Sequence, residues 1–340
     1  SGVGVITVTA QVSDGFVDHR GSVADLSALL ALPDINPPTT AYVSNYDGAG
    51  SGALYQNLGD GWGPVDAGKV QLQQNYAKHE FWITIGQSNM VGIDINTAIG
   101  ETGEIFPLGT DKPDPNCLEV SWGVEQELYR PAPAGELQIF RHPAQDVRDL
   151  PGDVKGTSVS CRLNFMKRRR ELFPAIDKIA VLCRAWGNTG FSNGVWGVDD
   201  AYYLAVKAEA VAFLAANPHY TFMGILWLQG QQDVVSLMTG PTYQTELIDT
   251  MTDLRAALPG GDSAMLLVGT MNPTYLGNTP SAAAIDAVHR SVSSFLDNSA
   301  TVVHDSLTEM ADDMEHYAGN SYRQQGFLFA NASAEFSLKQ

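Results

Sequence analysis

Acyl transfer through a covalent intermediate needs a hydroxyl, a base to take its proton and an acid to hold that base. This chain offers all three at two distant places. Ser88 stands two residues past Gly86, at the end of the apolar run Phe81-Trp82-Ile83-Thr84-Ile85. A strand that turns into a helix at such a point presents the serine Oγ above the sheet edge. The free N–H groups at the helix start can then face a developing oxyanion. A helix N-cap carries the same residue at the same place, so position alone leaves nucleophile and cap both open. Asp313-Met314-Glu315-His316 sets an acid and a base three residues apart. On one loop, the carboxylate can bond one ring nitrogen and leave the other for a hydroxyl. That pattern is weak by itself, because Asp286-Ala287-Val288-His289 repeats it inside an amphipathic helical stretch. There the spacing merely places both groups on one face. Asp312 is an adjacent alternative for the acid.

These groups must be carried to one place by a scaffold. From His79 onward, short apolar runs alternate with helical segments. The runs are 81–85, 179–183, 222–227, 265–269 and 301–303, and the helical stretches are 163–172, 201–216, 243–258 and 282–296. Buried strands alternating with helices imply a parallel sheet covered on both faces. Five such strands fit a three-layer α/β/α, flavodoxin-like domain, with its active groups at the carboxyl ends of the strands. The stretch from about 94 to 153, rich in Pro, Gly and Asp, reads as an elaborated loop over that edge. The basic run Lys167-Arg168-Arg169-Arg170 lies within a helical stretch and reads as a solvated face rather than a phosphate contact.

The full string Gly86-Gln87-Ser88-Asn89-Met90 resembles the first block of the sialate O-acetylesterase and carbohydrate esterase branch of the SGNH hydrolases. Three further blocks follow in that family's order. Ala185-Trp186-Gly187-Asn188-Thr189-Gly190 is similar to the block whose glycine N–H serves the oxyanion hole. Trp227-Leu228-Gln229-Gly230-Gln231-Gln232-Asp233 is similar to W-x-Q-G-E-x-D. Asp313 to His316, with Gly319 to Gly326 behind it, is similar to the D-x-x-H block and its continuation. The resemblance spans roughly residues 79–335. It implies a Ser-His-Asp esterase that removes acetyl groups from a carbohydrate, with Ser88 as nucleophile, His316 as base and Asp313 as acid. It further implies an oxyanion hole of Ser88, Gly187 and the Gln229 amide. Gln87, Asn89 and Asn188 are the candidate substrate contacts. Gln231 stands where the family carries a glutamate, which puts the pocket's detail in question. Two rival readings follow: a GDSL-type lipase or thioesterase, and a glycan-binding or structural spike that kept the fold without the activity.

Composition narrows the partners. The 340 residues carry 20 Lys+Arg against 38 Asp+Glu, a net charge of −18. So acidic a surface repels phosphate backbones and anionic lipid, which argues against nucleic acid and membrane surfaces. No apolar run approaches the ~20 residues that span a bilayer, and no signal peptide is read ahead of the fold. The three cysteines are odd in number, far apart and without metal spacing. The other histidines are scattered, so no metal site is expected. No phosphate-binding glycine loop follows any of the strands, so no cofactor is expected either. Residues 1 to about 70 read as a separate small β-rich module. It has a strand at Val5–Ala10, a short helix at Ser22–Leu32 capped by Ser22, and Gly/Asp turns. The stretch 71–77 reads as a helical connector to the esterase-like domain, 71–340. Ser22 to Leu26, Ala41-Tyr42-Val43 and Gly59 to Val65 resemble small modules of bacteriophage tail fibres and related virion proteins. That resemblance implies a virion or extracellular setting, several copies per particle and other virion proteins as partners.

Overall fold

The computed structural model describes residues 79–92, 111–122, 133–142, 158–310 and 313–337 in full, and the backbone of five earlier strands. The chain divides into two compact units, Ser1–Tyr76 and Ala77–Lys339.

In the first unit the strands are β1 (Ile6–Val12), β2 (His19–Val23), β3 (Thr39–Val43), β4 (Ala53–Asn57) and β5 (Trp62–Pro64). They form one antiparallel sheet in the order β2-β1-β3-β4-β5. The alternating, β-branched sequence Ile6-Thr7-Val8-Thr9 suits a pleated strand of this kind. Ser22 is not a helix cap: it pairs with Thr7 near the end of β2. The rest of the expected helix, 24–32, lies outside the described residues, as does the connector 71–77.

The second unit is an α/β domain. Its first half contains β6 (His79–Gly86), α1 (Ser88–Val91), β7 (Cys117–Val120), β8 (Leu137–Ile139), α2 (Arg162–Leu172), β9 (Lys178–Ala185) and α3 (Ala201–Ala216). Then come β10 (Thr221–Leu228), α4 (Gln231–Val235), α5 (Gly240–Ala257), β11 (Met265–Gly269), α6 (Pro273–Asn278), α7 (Ala282–Arg290) and β12 (Ser299–Val302). The hairpin β13 (Glu309–Met310) and β14 (Asp313–Tyr317) precedes the last helix, α8 (Gly319–Ser337). The main sheet runs β12-β11-β10-β6-β9-β7-β8, parallel except for the pair β7–β8. The five runs read from the sequence are all strands. Their order, β9-β6-β10-β11-β12, is the 2-1-3-4-5 order of flavodoxin-like sheets. Two short strands extend the sheet beyond five. β7 and β8 come from the stretch expected to be loop, where three- and four-residue strands leave too little periodicity to read. The final helical stretch is also shorter than expected, since α7 ends at Arg290 and a 3₁₀ turn covers Val292–Ser294.

Alternation assigns the layers. Phe81, Ile83 and Ile85 of β6 join Ala180 and Leu182, Ile225 and Trp227, and Leu266 and Val268 in a buried core under α3, α5 and α7. Trp82, of opposite parity, packs edge-on against Phe165 of α2 at 5.0 Å. On that second face Arg169 is fully buried. It bonds Glu80 through Nε and Nη2 at 2.9 and 3.0 Å and Ser333 of α8 through Nη1 at 2.8 Å. Its neighbours are paired as well, Arg170 with Asp114 and Arg168 with Glu171. The basic run is therefore a clamp joining β6, α2 and α8 rather than a solvated face. All three cysteines are buried free thiols.

Candidate active site

β6 is the topological switch point. The chain leaves it for β9 on one side and returns to β10 on the other, opening a crevice at the carboxyl ends of these strands. Two backbone bonds lock the three ends together, Trp186 N–H to the Gly86 carbonyl at 3.1 Å and Gln87 N–H to the Leu228 carbonyl at 3.2 Å. Gly86 is required by this approach: a Cβ there would lie 2.2 Å from the Leu228 oxygen and 2.7 Å from Met90 Cβ.

Past Gly86 the chain enters the four-residue helix α1. Its N-cap is Gln87, in extended conformation and without a side-chain cap bond. Ser88 is the first helical residue, so the cap reading of this serine does not hold. Its Oγ lies 2.7 Å from His316 Nε2 instead. Buried Met90 and Val91 anchor the helix.

The histidine reaches this point because β14 is irregular. Tyr317 pairs with Glu309 and Asp313 with Met310, so four steps on β14 match one on β13 and residues 314–316 bow out. Asp313 Oδ1 accepts the N–H groups of Glu315 and His316 at 2.9 and 3.2 Å, closing the bow. Its Oδ2 lies 2.5 Å from His316 Nδ1. Burial pushes the Asp313 carboxyl up, but the His316 hydrogen bond and charge and the two backbone N–H groups outweigh this. They hold the group below the usual carboxylate range. The neighbouring Glu315 is raised by burial and by the Asp313 charge, against the opposing pull of His316. Asp312 lies outside the described residues.

Asn89 couples the two halves. Its Nδ2 donates to the Glu315 carbonyl at 3.0 Å, and its Oδ1 accepts from Tyr322 of α8 at 2.9 Å. It is fully buried and spent on these bonds, so it positions the histidine segment and does not meet substrate as expected. Gln87 is likewise buried, its Oε1 accepting the Gln232 N–H at 3.1 Å. Of the three expected substrate contacts only Asn188 is exposed, held at φ 55° in the turn after β9.

The N–H groups of Ser88 and Gly187 are free of hydrogen bonds among the described residues, as oxyanion donors must be. Gln229 is placed differently from expectation. Its Nε2 donates to Asp233 and to the Thr189 carbonyl, and its Oε1 accepts from Tyr243 at 2.9 Å. Both amide protons are thus spent, and Gln229 braces the turn that carries Gly187 rather than offering a donor to substrate. Tyr243 is buried on α5, a helix started by Thr239, whose Oγ1 accepts the Thr242 N–H at 3.3 Å. The Tyr243 hydroxyl also accepts from Trp227 Nε1 at 3.0 Å and bonds His289 Nε2 at 2.9 Å. Gln231 is buried, and its Oε1 has no hydrogen-bond partner among the described residues. Tyr322 and Asp233 are the positioning residues that sequence reasoning left without a role, although both lie inside the blocks it singled out. Among the described residues, no three His, Cys, Asp or Glu side chains gather as a metal site requires.

The family model of the carbohydrate esterase, sialic acid-specific acetylesterase family matches residues 78–335. Among solved structures, the fold is similar to that of NanS (TM-score 0.62, 16% identity, 78% of this chain and 99% of that one). It is also similar to a protein from Arabidopsis thaliana (0.59, 16%, 75% and 98%). A carbohydrate acetylesterase from Xanthomonas citri aligns at 0.51 and 16%, over 100% of this chain and 70% of that one. No curated protein matches the sequence. With three quarters of its length matched, the chain belongs to the carbohydrate esterase, sialic acid-specific acetylesterase family.

Proposed function

We propose that this protein is a serine esterase that hydrolyses O-acetyl groups on a carbohydrate through Ser88, His316 and Asp313. The observation that carries the reading is the unbroken chain Asp313 Oδ2, His316 Nδ1, His316 Nε2, Ser88 Oγ, at 2.5 and 2.7 Å across 228 residues of sequence. Asp313 holds the ring in the tautomer that leaves Nε2 able to accept a proton. His316 takes the Ser88 proton as Oγ attacks the acetyl carbonyl, and the Oγ–C bond forms. The oxyanion sits against the Ser88 and Gly187 N–H groups, each supplying on the order of 3 kcal/mol of barrier lowering. Collapse breaks the bond to the sugar oxygen, which leaves with the proton from His316. Water, deprotonated by the same imidazole, then releases acetate and restores Ser88.

A binding-only protein is the reading that Gln231 would favour, because its buried amide stands where the family has a carboxylate. The complete Ser88–His316–Asp313 geometry weighs against it. A role on a virus particle gains no support from the family and structural likenesses. The test is acetate release from O-acetylated polysaccharides by the wild type and Ser88→Ala. The proposal expects release by the wild type and a loss of roughly 10⁴-fold or more in the variant. Equal release by both would remove Ser88, and no release from any acetyl ester would favour the binding-only reading.

A further inference from the structure

Trp186 ends the β9 edge beside the nucleophile, bonded through its N–H to Gly86, and Gly187 follows it. The residue is 37% exposed, whereas Trp82, Trp196 and Trp227 are fully buried. An aromatic frame fixes that ring. It packs on Tyr202 with centroids 5.3 Å apart, and Tyr202 is braced by buried Trp196 at 5.0 Å and by Trp122 at 5.4 Å. The Arg184 guanidinium lies 4.2 Å from the centre of the Trp122 ring and is itself held by Glu209 at 2.7 Å. The indole is thus held in a fixed orientation beside the Gly187 turn, with more than a third of the residue's surface open.

Its setting points to the kind of ligand that this open surface suits. Sugar rings present axial C–H bonds on one face, and these polarised hydrogens suit the negative face of an aromatic ring. Binding sites of this kind join rigid apolar surface to a few polar groups, and exposed Asn188 stands two residues further along the same turn. Parity places Trp186 with Ala180, Leu182 and Arg184 on the α3 face of the sheet, whereas His316 arrives from the α8 side through Asn89 and Tyr322. The indole is therefore on the oxyanion side of Ser88, away from the sugar oxygen that His316 protonates.

We propose that Trp186 is a sugar-stacking subsite, which holds a ring of the acetylated glycan next to the acetyl-bearing one. This rests on the esterase reading and narrows its substrate to oligosaccharides or longer chains. The test compares kcat/KM of the full chain for an O-acetylated oligosaccharide and for 4-nitrophenyl acetate, in wild type, Trp186→Ala and Trp186→Phe. The glycan KM of Trp186→Ala should rise about tenfold with kcat nearly unchanged, so the glycan-to-small-ester ratio falls about tenfold. Trp186→Phe, which keeps an aromatic face, should recover most of it. An unchanged ratio in both variants, or equal losses on both esters, would overturn the subsite. If the wild type hydrolyses neither ester, the esterase reading fails and takes this inference with it.

Discussion

In β14, Asp313 bonds the ring of His316 and that ring faces Ser88; in α7, Asp286 and His289 have the same spacing and do neither. Asp286 accepts the Met271 N–H at 2.8 Å and pairs with Arg290 at 2.6 Å. His289 is buried and bonds Tyr243. Helical backbone keeps the two side chains side by side along the axis. The bowed backbone of β14 turns the carboxylate back onto the imidazole, with two N–H groups fixing it there. The lesson is that an acid and a base three residues apart acquire chemistry only from the backbone that carries them and the hydroxyl they are brought to.

Paired substitutions should separate the two segments. His316→Ala should lower kcat by about 10⁴-fold or more, and Asp313→Asn by a comparable amount because the ring loses its tautomer. Neither should shift the melting temperature much, because both groups are only partly buried. His289→Ala should do the reverse. It should cost roughly 2–3 kcal/mol of stability by stranding Tyr243 in the core, with kcat reduced less than tenfold. Acetate-release kinetics and thermal melts on the four proteins check this. A catalytic collapse in His289→Ala with full stability would break the distinction.

Gln229 sharpens the comparison at the next level down, since it links the His289 network to the Gly187 turn. Gln229→Ala should cut kcat by roughly 10²-fold, as loss of a direct oxyanion donor would. Because the residue acts through the turn, it should also cost about 1–3 kcal/mol by leaving Asp233, Tyr243 and the Thr189 carbonyl short of partners. A kcat loss with wild-type stability in urea titrations would return Gln229 to direct contact with the oxyanion.

A separate expected effect is on acid stability. Burial, against the Asp286 charge, holds His289 down to about 4, and burial holds His304 down to about 4 against its bond to the Thr270 carbonyl. Between about 6.5 and 4 the unfolded chain binds protons that the folded chain refuses, so stability falls as pH falls through that window. Each imidazole contributes up to roughly 3 kcal/mol across it. Asp313 has a shift in the same direction. Its depressed carboxyl adds stability above the usual carboxylate range, and this is lost at lower pH as the group protonates. Urea midpoints at pH 7 and 4.5 should therefore converge in His289→Gln relative to wild type. An unchanged difference would contradict the assignment.

Much of this arrangement was legible in the sequence, and the physical reason is local. The apolar runs 81–85, 179–183 and 222–227 announce buried strands, the glycine-serine turn stands directly at the end of the first, and the Asp313–His316 pair follows the last apolar run, 301–303. What was hidden depends on contacts between distant segments. Nothing in the letters around Gln229 says that Tyr243 and Asp233 occupy its amide. Nothing around Asn89 says that its partners are Glu315 and Tyr322. The run Lys167 to Arg170 looks solvated until Glu80 is brought beneath Arg169. Such pairings are set by packing of the layers, which periodicity does not record.

The central claim is that His316, and not His289, activates Ser88. The most direct measurement is covalent labelling by a 4-nitrophenyl phosphonate ester, with the modified peptide read by mass spectrometry. The account predicts one label per chain, on Ser88, formed rapidly in the wild type and in His289→Ala and lost in His316→Ala. Labelling of another residue, or of Ser88 at an undiminished rate without His316, would contradict it.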